Sequence, residues 1–187
     1  MDPSIYTLSL PYEGHLSTRV PESIDLVVIH CTELPDLQTA RQYGERIQYE
    51  STGTGNSGHF YIDRDGRIEQ WVDIAHVAHH VRGFNERSIG VELINSGRYP
   101  DWLNSERQQM SEPYTAKQIA SLLSLLRHLC SRLETLRWIA GHDDLDREHV
   151  TSSNDPAASV RRKVDPGPLF PWDLVNGAVN LQTWSSI

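Results

Sequence analysis

The chain has 187 residues, with 17 Lys and Arg against 25 Asp and Glu; the formal net charge of −8 repels a phosphate backbone and argues against nucleic acid as a partner. That length suits one ordinary domain with a substantial core. Two cysteines, Cys31 and Cys130, are too few for a disulfide framework and lack CxxC spacing. Reduced thiols are expected, with a single bridge between them left open.

Residues 1–23 lack a cationic start followed by an apolar run, and no later segment approaches the ~18 apolar residues of a membrane span. A polar leader, no membrane contact and a cytoplasmic location are expected. IDLVVIH (24–30) is β-branched and apolar enough for a buried strand that stops at His30, leaving an imidazole at the strand's end. A helix is predicted across 38–50, where Ala40, Tyr43 and Ile47 fall at helical spacing, followed by a loop at STGTGNS (51–57). HFYID and RIEQWV flank Arg64, Asp65 and Gly66, a hairpin signal. SIGVEL (88–93) reads as a strand with Ile89, Val91 and Leu93 on one face and Gly90 and Glu92 on the other.

Thr115 and Gln118 form a capping-box signature, and Ile119, Leu122, Leu126, Leu129 and Leu133 continue along one helical face, predicting a helix over 115–133. LRWIA leads as a strand into Gly141 and His142, and Pro171 opens a short helix running through Val179. Strands and helices interleave while the hairpin adds an antiparallel pair. The expected fold is therefore α/β, a single domain with a central mixed β-sheet flanked by helices.

Of nine histidines, His15, His128 and His149 are explained by exposure or ordinary packing. His30 and His142 each close an apolar strand, and they would project from one edge of the sheet if their strands are neighbours. With Asp165 they would make a two-histidine, one-carboxylate set, which suits zinc and leaves a fourth position open. A satisfied core histidine competes at either position. In RRKVDPGPLFPW (161–172), Pro166 biases Asp165 toward an extended conformation, so Lys163 and Asp165 should face one way while Val164 faces the core. An ammonium beside a ligand carboxylate can stabilise an oxyanion; a surface Lys and Asp before a proline turn is the competing reading. Glu92 is either a solvent-facing strand residue or a general base for a metal-activated water. The His76, His79, His80 cluster reads as a loop rim rather than a second metal site, and His59 as packing near the pocket.

Taken together, VVIHCT, SGHFYIDRDGRIEQWV, HHVRGFNERSIGVEL, IAGHDDL and RKVDPGPLFPW resemble, in this order, the blocks of the zinc-dependent N-acetylmuramoyl-L-alanine amidases. These form the AmpD-like, or amidase type 2, family, whose relatives include phage lysozyme-amidases and animal peptidoglycan recognition proteins. The resemblance covers about residues 24–175. It implies one zinc per chain on His30, His142 and Asp165, with Glu92 and Lys163 catalytic. On the loop rim, His80 is expected either to contact substrate or to back a metal ligand, and Asn85 to contact substrate. The implied reaction is hydrolysis of the amide between N-acetylmuramic acid and L-alanine in peptidoglycan or in muropeptides. Peptidoglycan fragments are the expected partner, and the chain is expected to be a monomer. Residues 24–180 would form the amidase domain, with 1–23 as leader and 181–187 as tail.

Three departures stand out. Some phage and animal members place a tyrosine where this chain has Gly58, and recycling amidases have a tryptophan where it has His79. The segment 95–114 has no counterpart; its Tyr99 and Trp102 either line the groove or anchor a surface loop. A binding module that keeps the groove without the chemistry could dispense with Asp165, Glu92 and Lys163. This chain retains all three, which argues for an enzyme.

Overall fold

The computed structural model describes residues 2–184. Along the chain come β1 (Ile5–Thr7), β2 (Leu26–Cys31), α1 (Leu37–Gly44), β3 (Phe60–Ile62), β4 (Ile68–Gln70), β5 (Ser88–Leu93) and α2 (Ala116–Arg132). There follow β6 (Trp138–Gly141), α3 (His142–Leu145), β7 (His149–Thr151), β8 (Ser159–Arg161), α4 (Trp172–Ala178) and β9 (Gln182–Thr183). Seven strands form one sheet in the order β1-β4-β3-β5-β2-β6-β9, while β7 and β8 pair separately. The β3–β4 hairpin is antiparallel and the remaining pairs of the large sheet are parallel, so the mixed sheet expected from the Asp-Gly turn is present.

All six residues of β2 are buried, which is why it reads as a continuous apolar run rather than an alternating one. Its two faces have different coverings. Val27 and Ile29, with Ile89, Val91 and Leu93 of β5 and Ile139 of β6, meet the apolar stripe of α2, where Leu122, Leu125 and Leu126 have no exposure. Truncating any of these leucines to Ala would cost about 2–5 kcal/mol. The helix starts at the expected capping box: the Thr115 side chain accepts from the Gln118 N–H at 3.1 Å, and Gln118 Oε1 accepts from the Thr115 N–H at 3.1 Å.

The opposite face is only partly covered. Leu26, Val28, Val81 and Ala140 form a small cluster at one end, and Tyr61, Trp71 and Ile94 pack with α1 at the other. Helix α1 is shorter than its periodicity suggests. Beyond Gly44 the backbone turns into a loop in which Gln48 and Tyr49 both donate to the Thr54 carbonyl at 2.9 Å, and Ile47 is left half-exposed.

The leader is part of the domain body. β1 pairs with β4, and Leu10, Tyr12 and Leu16 are buried beside Trp71, because the segment carries the apolar side chains that close that side of the sheet. Likewise Gln182 and Thr183 of the expected tail pair with β6, while residues 185–187 lie outside the described residues. Cys31 and Cys130 are both free thiols. No helix among the described residues is long and apolar enough to cross a membrane.

Candidate active site

The sheet's parallel core brings the candidate residues together. β2 lies between β5 and β6, with His30 opposite Glu92 in register, and β6 ends at Gly141 immediately before His142. His30 and Glu92 project to the partly covered face. The loop after β8 supplies the third group, Asp165, through a cis Asp165–Pro166 peptide. His30 Nδ1 lies 3.0 Å from His142 Nδ1 and 3.0 Å from Asp165 Oδ2, and His142 Nδ1 lies 3.1 Å from the same oxygen. All three residues are nearly fully buried.

The donor set fits a metal ion. Three atoms at mutual separations of 3.0–3.1 Å are all potential lone-pair donors converging on one point. Tetrahedral zinc with ligands ~2.0–2.1 Å away sets neighbouring ligand atoms roughly 3.3 Å apart, close to this triangle. Asp165 Oδ1 is buried without a hydrogen-bond partner among the described residues, a cost that a cation offsets. These three residues form the one such cluster found among the described residues. His76, His79 and His80 are not part of it.

Electrostatics set the protonation of the groups. Burial pushes His30 down to about 4, against the pull of its Asp165 hydrogen bond. Burial alone would raise Asp165, but His142, His30 and Lys163 outweigh it and hold the carboxyl well below the usual range. Glu92 Oε1 is 3.9 Å from His30 Nδ1. Burial, reinforced by the Asp165 charge, raises Glu92 to about 8, while the Lys163 ammonium acts in the opposite sense.

Around this cluster opens a groove of about 550 Å³, lined by Glu92 and Lys163 and walled on the α1 side by Tyr43, Tyr49 and Trp102. Lys163 and Asp165 both face it, as their alternation predicted. Val164 does not face the core: it is partly exposed and lines a surface pocket with Met110, Gly167 and Trp172. Trp102 lines the groove and donates its indole N–H to the Glu33 carbonyl at 3.0 Å, whereas Tyr99 stays exposed and packs edge-on against it. His79 also lines the groove, edge-on to Tyr49 at 5.1 Å. His59 is buried away from the cluster, its Nδ1 accepting the Gly90 N–H at 3.0 Å.

The two expected substrate contacts carry structural duties. His80 Nδ1 lies 3.0 Å from His30 Nε2, behind the cluster, and Asn85 Oδ1 accepts the N–H groups of His80 and Val81 at 3.0 and 2.8 Å. Both still line the groove. Sequence reasoning missed Arg98, in the segment without a counterpart. Fully buried, it grips Glu33 at 2.7 and 2.8 Å and donates to the carbonyls of Arg161 and Arg162 at 3.1 and 3.3 Å, just before Lys163. Tyr114 holds the other end of the loop through the Pro166 carbonyl at 2.7 Å. An arginine in a polar loop gives no sequence sign of burial. Asp146 was missed as well: its Oδ2 stands 4.0 Å from His142 Nε2 and pairs with Arg162.

A buried metal-type cluster at the floor of an open groove, with an acid and a cation beside it, defines the class as a hydrolase of polar bonds. The family profile for N-acetylmuramoyl-L-alanine amidase matches residues 20–168. The endolysin of Escherichia phage T7 is 30% identical over 123 residues, 65% of this chain and 77% of that protein. The 1,6-anhydro-N-acetylmuramyl-L-alanine amidase AmpD of Haemophilus influenzae is 28% identical over 175 residues, 82% of this chain and 81% of its own. Among solved structures, the amidase LysC of Clostridium intestinale superposes with a TM-score of 0.67 at 22% identity, covering 96% of this chain and 99% of that one. The chain belongs to the N-acetylmuramoyl-L-alanine amidase family.

Proposed function

We propose that this amidase is zinc-dependent and acts as a monomer on peptidoglycan fragments, with His30, His142 and Asp165 holding the ion, Glu92 moving protons and Lys163 stabilising charge. The observation that carries the reading is the triangle of buried donor atoms 3.0–3.1 Å apart, with Glu92 3.9 Å from one corner. The chemistry zinc supplies when bound is Lewis acidity toward the scissile carbonyl and a lowered pKa for water.

The chain's own groups do the rest. Glu92 accepts a proton from the attacking water at Oε1 and returns it to the leaving amine of L-alanine. Burial favours the form that holds the proton between the two transfers, while the Lys163 ammonium favours the charged form that accepts it. Lys163 presents its ammonium to the carbonyl oxygen as negative charge develops, which helps the transition state more than the neutral ground state. The groove walls seat the substrate: His79, Tyr43, Tyr49 and Trp102 offer aromatic faces, and the Asn85 amide remains for a polar contact.

The test is metal analysis of the purified chain with mass spectrometry of products from a soluble anhydro-muropeptide and, separately, from intact sacculi. One zinc per chain and release of the stem peptide at L-alanine are expected. Turnover of the soluble fragment alone would support a cytoplasmic role, and turnover of sacculi a role on the wall. Full activity after removal of all metal overturns the zinc assignment.

A further inference from the structure

We propose that His80 is a positioning residue that fixes the tautomer of His30, directing the His30 Nδ1 lone pair at the metal, and that Ser88 and Gly90 of β5 hold His80 in that role. This rests on the zinc reading of the site.

The argument follows protons inward from the far end. Ser88 Oγ donates to the Phe84 carbonyl at 2.7 Å, so its one proton is committed. Toward His80 Nε2, 3.2 Å away, the hydroxyl can then only accept, which places the proton of His80 on Nε2. The Nδ1 of His80 is left as a lone pair, and it faces His30 Nε2 at 3.0 Å. His30 therefore carries its proton on Nε2. Its Nδ1 is a lone pair, and that atom is the corner of the triangle shared with His142 Nδ1 and Asp165 Oδ2.

The geometry around His80 is built for this task. A Cβ at Gly90 would lie 2.6 Å from His80 Cγ and 2.7 Å from its Nδ1, so the ring rests on bare backbone that no other residue type could provide. Ser88 is fully buried, and Asn85 Oδ1 pins the backbone N–H of His80 itself at 3.0 Å. Successive same-face positions of one strand thus divide the labour: Ser88 orients the ring, Gly90 makes room for it, and Glu92 reaches the reacting centre. The second ligand has no such hydrogen bond among the described residues: the Asp146 carboxylate stands 4.0 Å from His142 Nε2 and is paired with Arg162. A partner on the far nitrogen fixes ring orientation and tautomer and makes the ligating nitrogen more basic.

The experiment measures zinc affinity of the full-length chain by competition with a chromophoric chelator, alongside long-range ¹H–¹⁵N spectra of the metal-free chain. Expected are a loss of about 10- to 100-fold in affinity for His80→Phe, most of it recovered in His80→Gln, whose amide oxygen can accept from His30 Nε2–H. Ser88→Ala should weaken zinc binding less than His80→Phe and mix the His30 tautomers. In the wild type the spectra should show His30 protonated at Nε2. Should His80→Phe fail to fold, His80→Gln, Ser88→Ala and the wild-type spectra still decide. A wild type that binds zinc with a His80→Phe variant that binds it equally well, changing only KM, makes His80 a substrate contact and overturns the proposal; so does His30 protonated at Nδ1. A wild type that takes up no zinc overturns the metal reading instead, and the spectra then decide the part of His80 alone.

Discussion

Gly58 and Glu92 share one space: a Cβ at Gly58 would lie 2.9 Å from Glu92 Cγ and 3.2 Å from the Gly90 carbonyl oxygen. The absence of a side chain at 58 is thus a condition for the position of the carboxylate. Gly58→Ala should displace Glu92 and lower kcat by roughly 10- to 100-fold, the scale on which small misplacements act. Zinc content should not change. In a Glu92→Gln background the same substitution should cost almost nothing more, and that non-additivity is what steady-state kinetics on the two single variants and the double variant would check.

Glu92→Gln should itself keep zinc and substrate binding while slowing turnover by about 10²- to 10⁴-fold. Zinc lost from this variant would make Glu92 a ligand. Lys163→Met keeps much of the stem and deletes the ammonium, so kcat should fall by about 10²- to 10³-fold with little change in KM. A Met variant within a few-fold of wild type removes Lys163 from the mechanism.

Asp165→Ala should lose metal and activity together, because it removes one corner of the triangle and the carboxylate held by both histidines. Metal analysis after dialysis checks this, and full zinc occupancy in the variant contradicts the coordination set.

His59 makes the fold sensitive to acid. Burial first, and then the Arg19 guanidinium 2.9 Å from Nε2, lower it from an ordinary 6.5 to about 3. Its Nδ1 accepts from Gly90 and its Nε2 faces the His76 carbonyl at 3.1 Å, so the neutral ring is fully engaged. Between pH 6.5 and about 3 the unfolded chain binds the extra proton. The stability that His59 contributes is therefore complete above 6.5 and is lost as pH falls, at about 1.4 kcal/mol per pH unit. Denaturant titrations at pH 7, 6 and 5 should show a shallower pH dependence in His59→Gln than in the wild type.

Arg98 joins stability to catalysis, and two variants separate the two. Arg98→Met strands the buried Glu33 carboxylate and should cost about 3–5 kcal/mol. Adding Glu33→Met should restore much of the melting temperature but not kcat, since the carbonyls of Arg161 and Arg162 still lack the guanidinium that holds the Lys163 loop. Recovery of both together would confine Arg98 to a stabilising role.

Much of this site is legible in the sequence, for identifiable reasons. His30 ends a strongly apolar strand, His142 directly follows one, and the period of two in SIGVEL assigns the face of Glu92 without tertiary information. The capping box and the apolar stripe ending at Leu133 located α2 within a residue at each end. What escaped depends on contacts between distant segments. Nothing local marks Arg98 as buried, Ile47 as exposed or residues 5–7 as a strand, because each outcome is decided by what the rest of the chain places beside it. Ser88 lay within a recognised motif, yet its role needs His80, which reaches it across a loop.

β1 and β9 are the outermost strands of the large sheet, and both lie beyond residues 20–168. A fragment trimmed to those limits would keep every candidate catalytic group while exposing the main-chain hydrogen-bonding rows of β4 on one margin and β6 on the other. Such raw margins are templates for pairing with another copy. The short flanking strands therefore act as selvedges: contributing nothing to the chemistry, they keep one molecule from being stitched to the next.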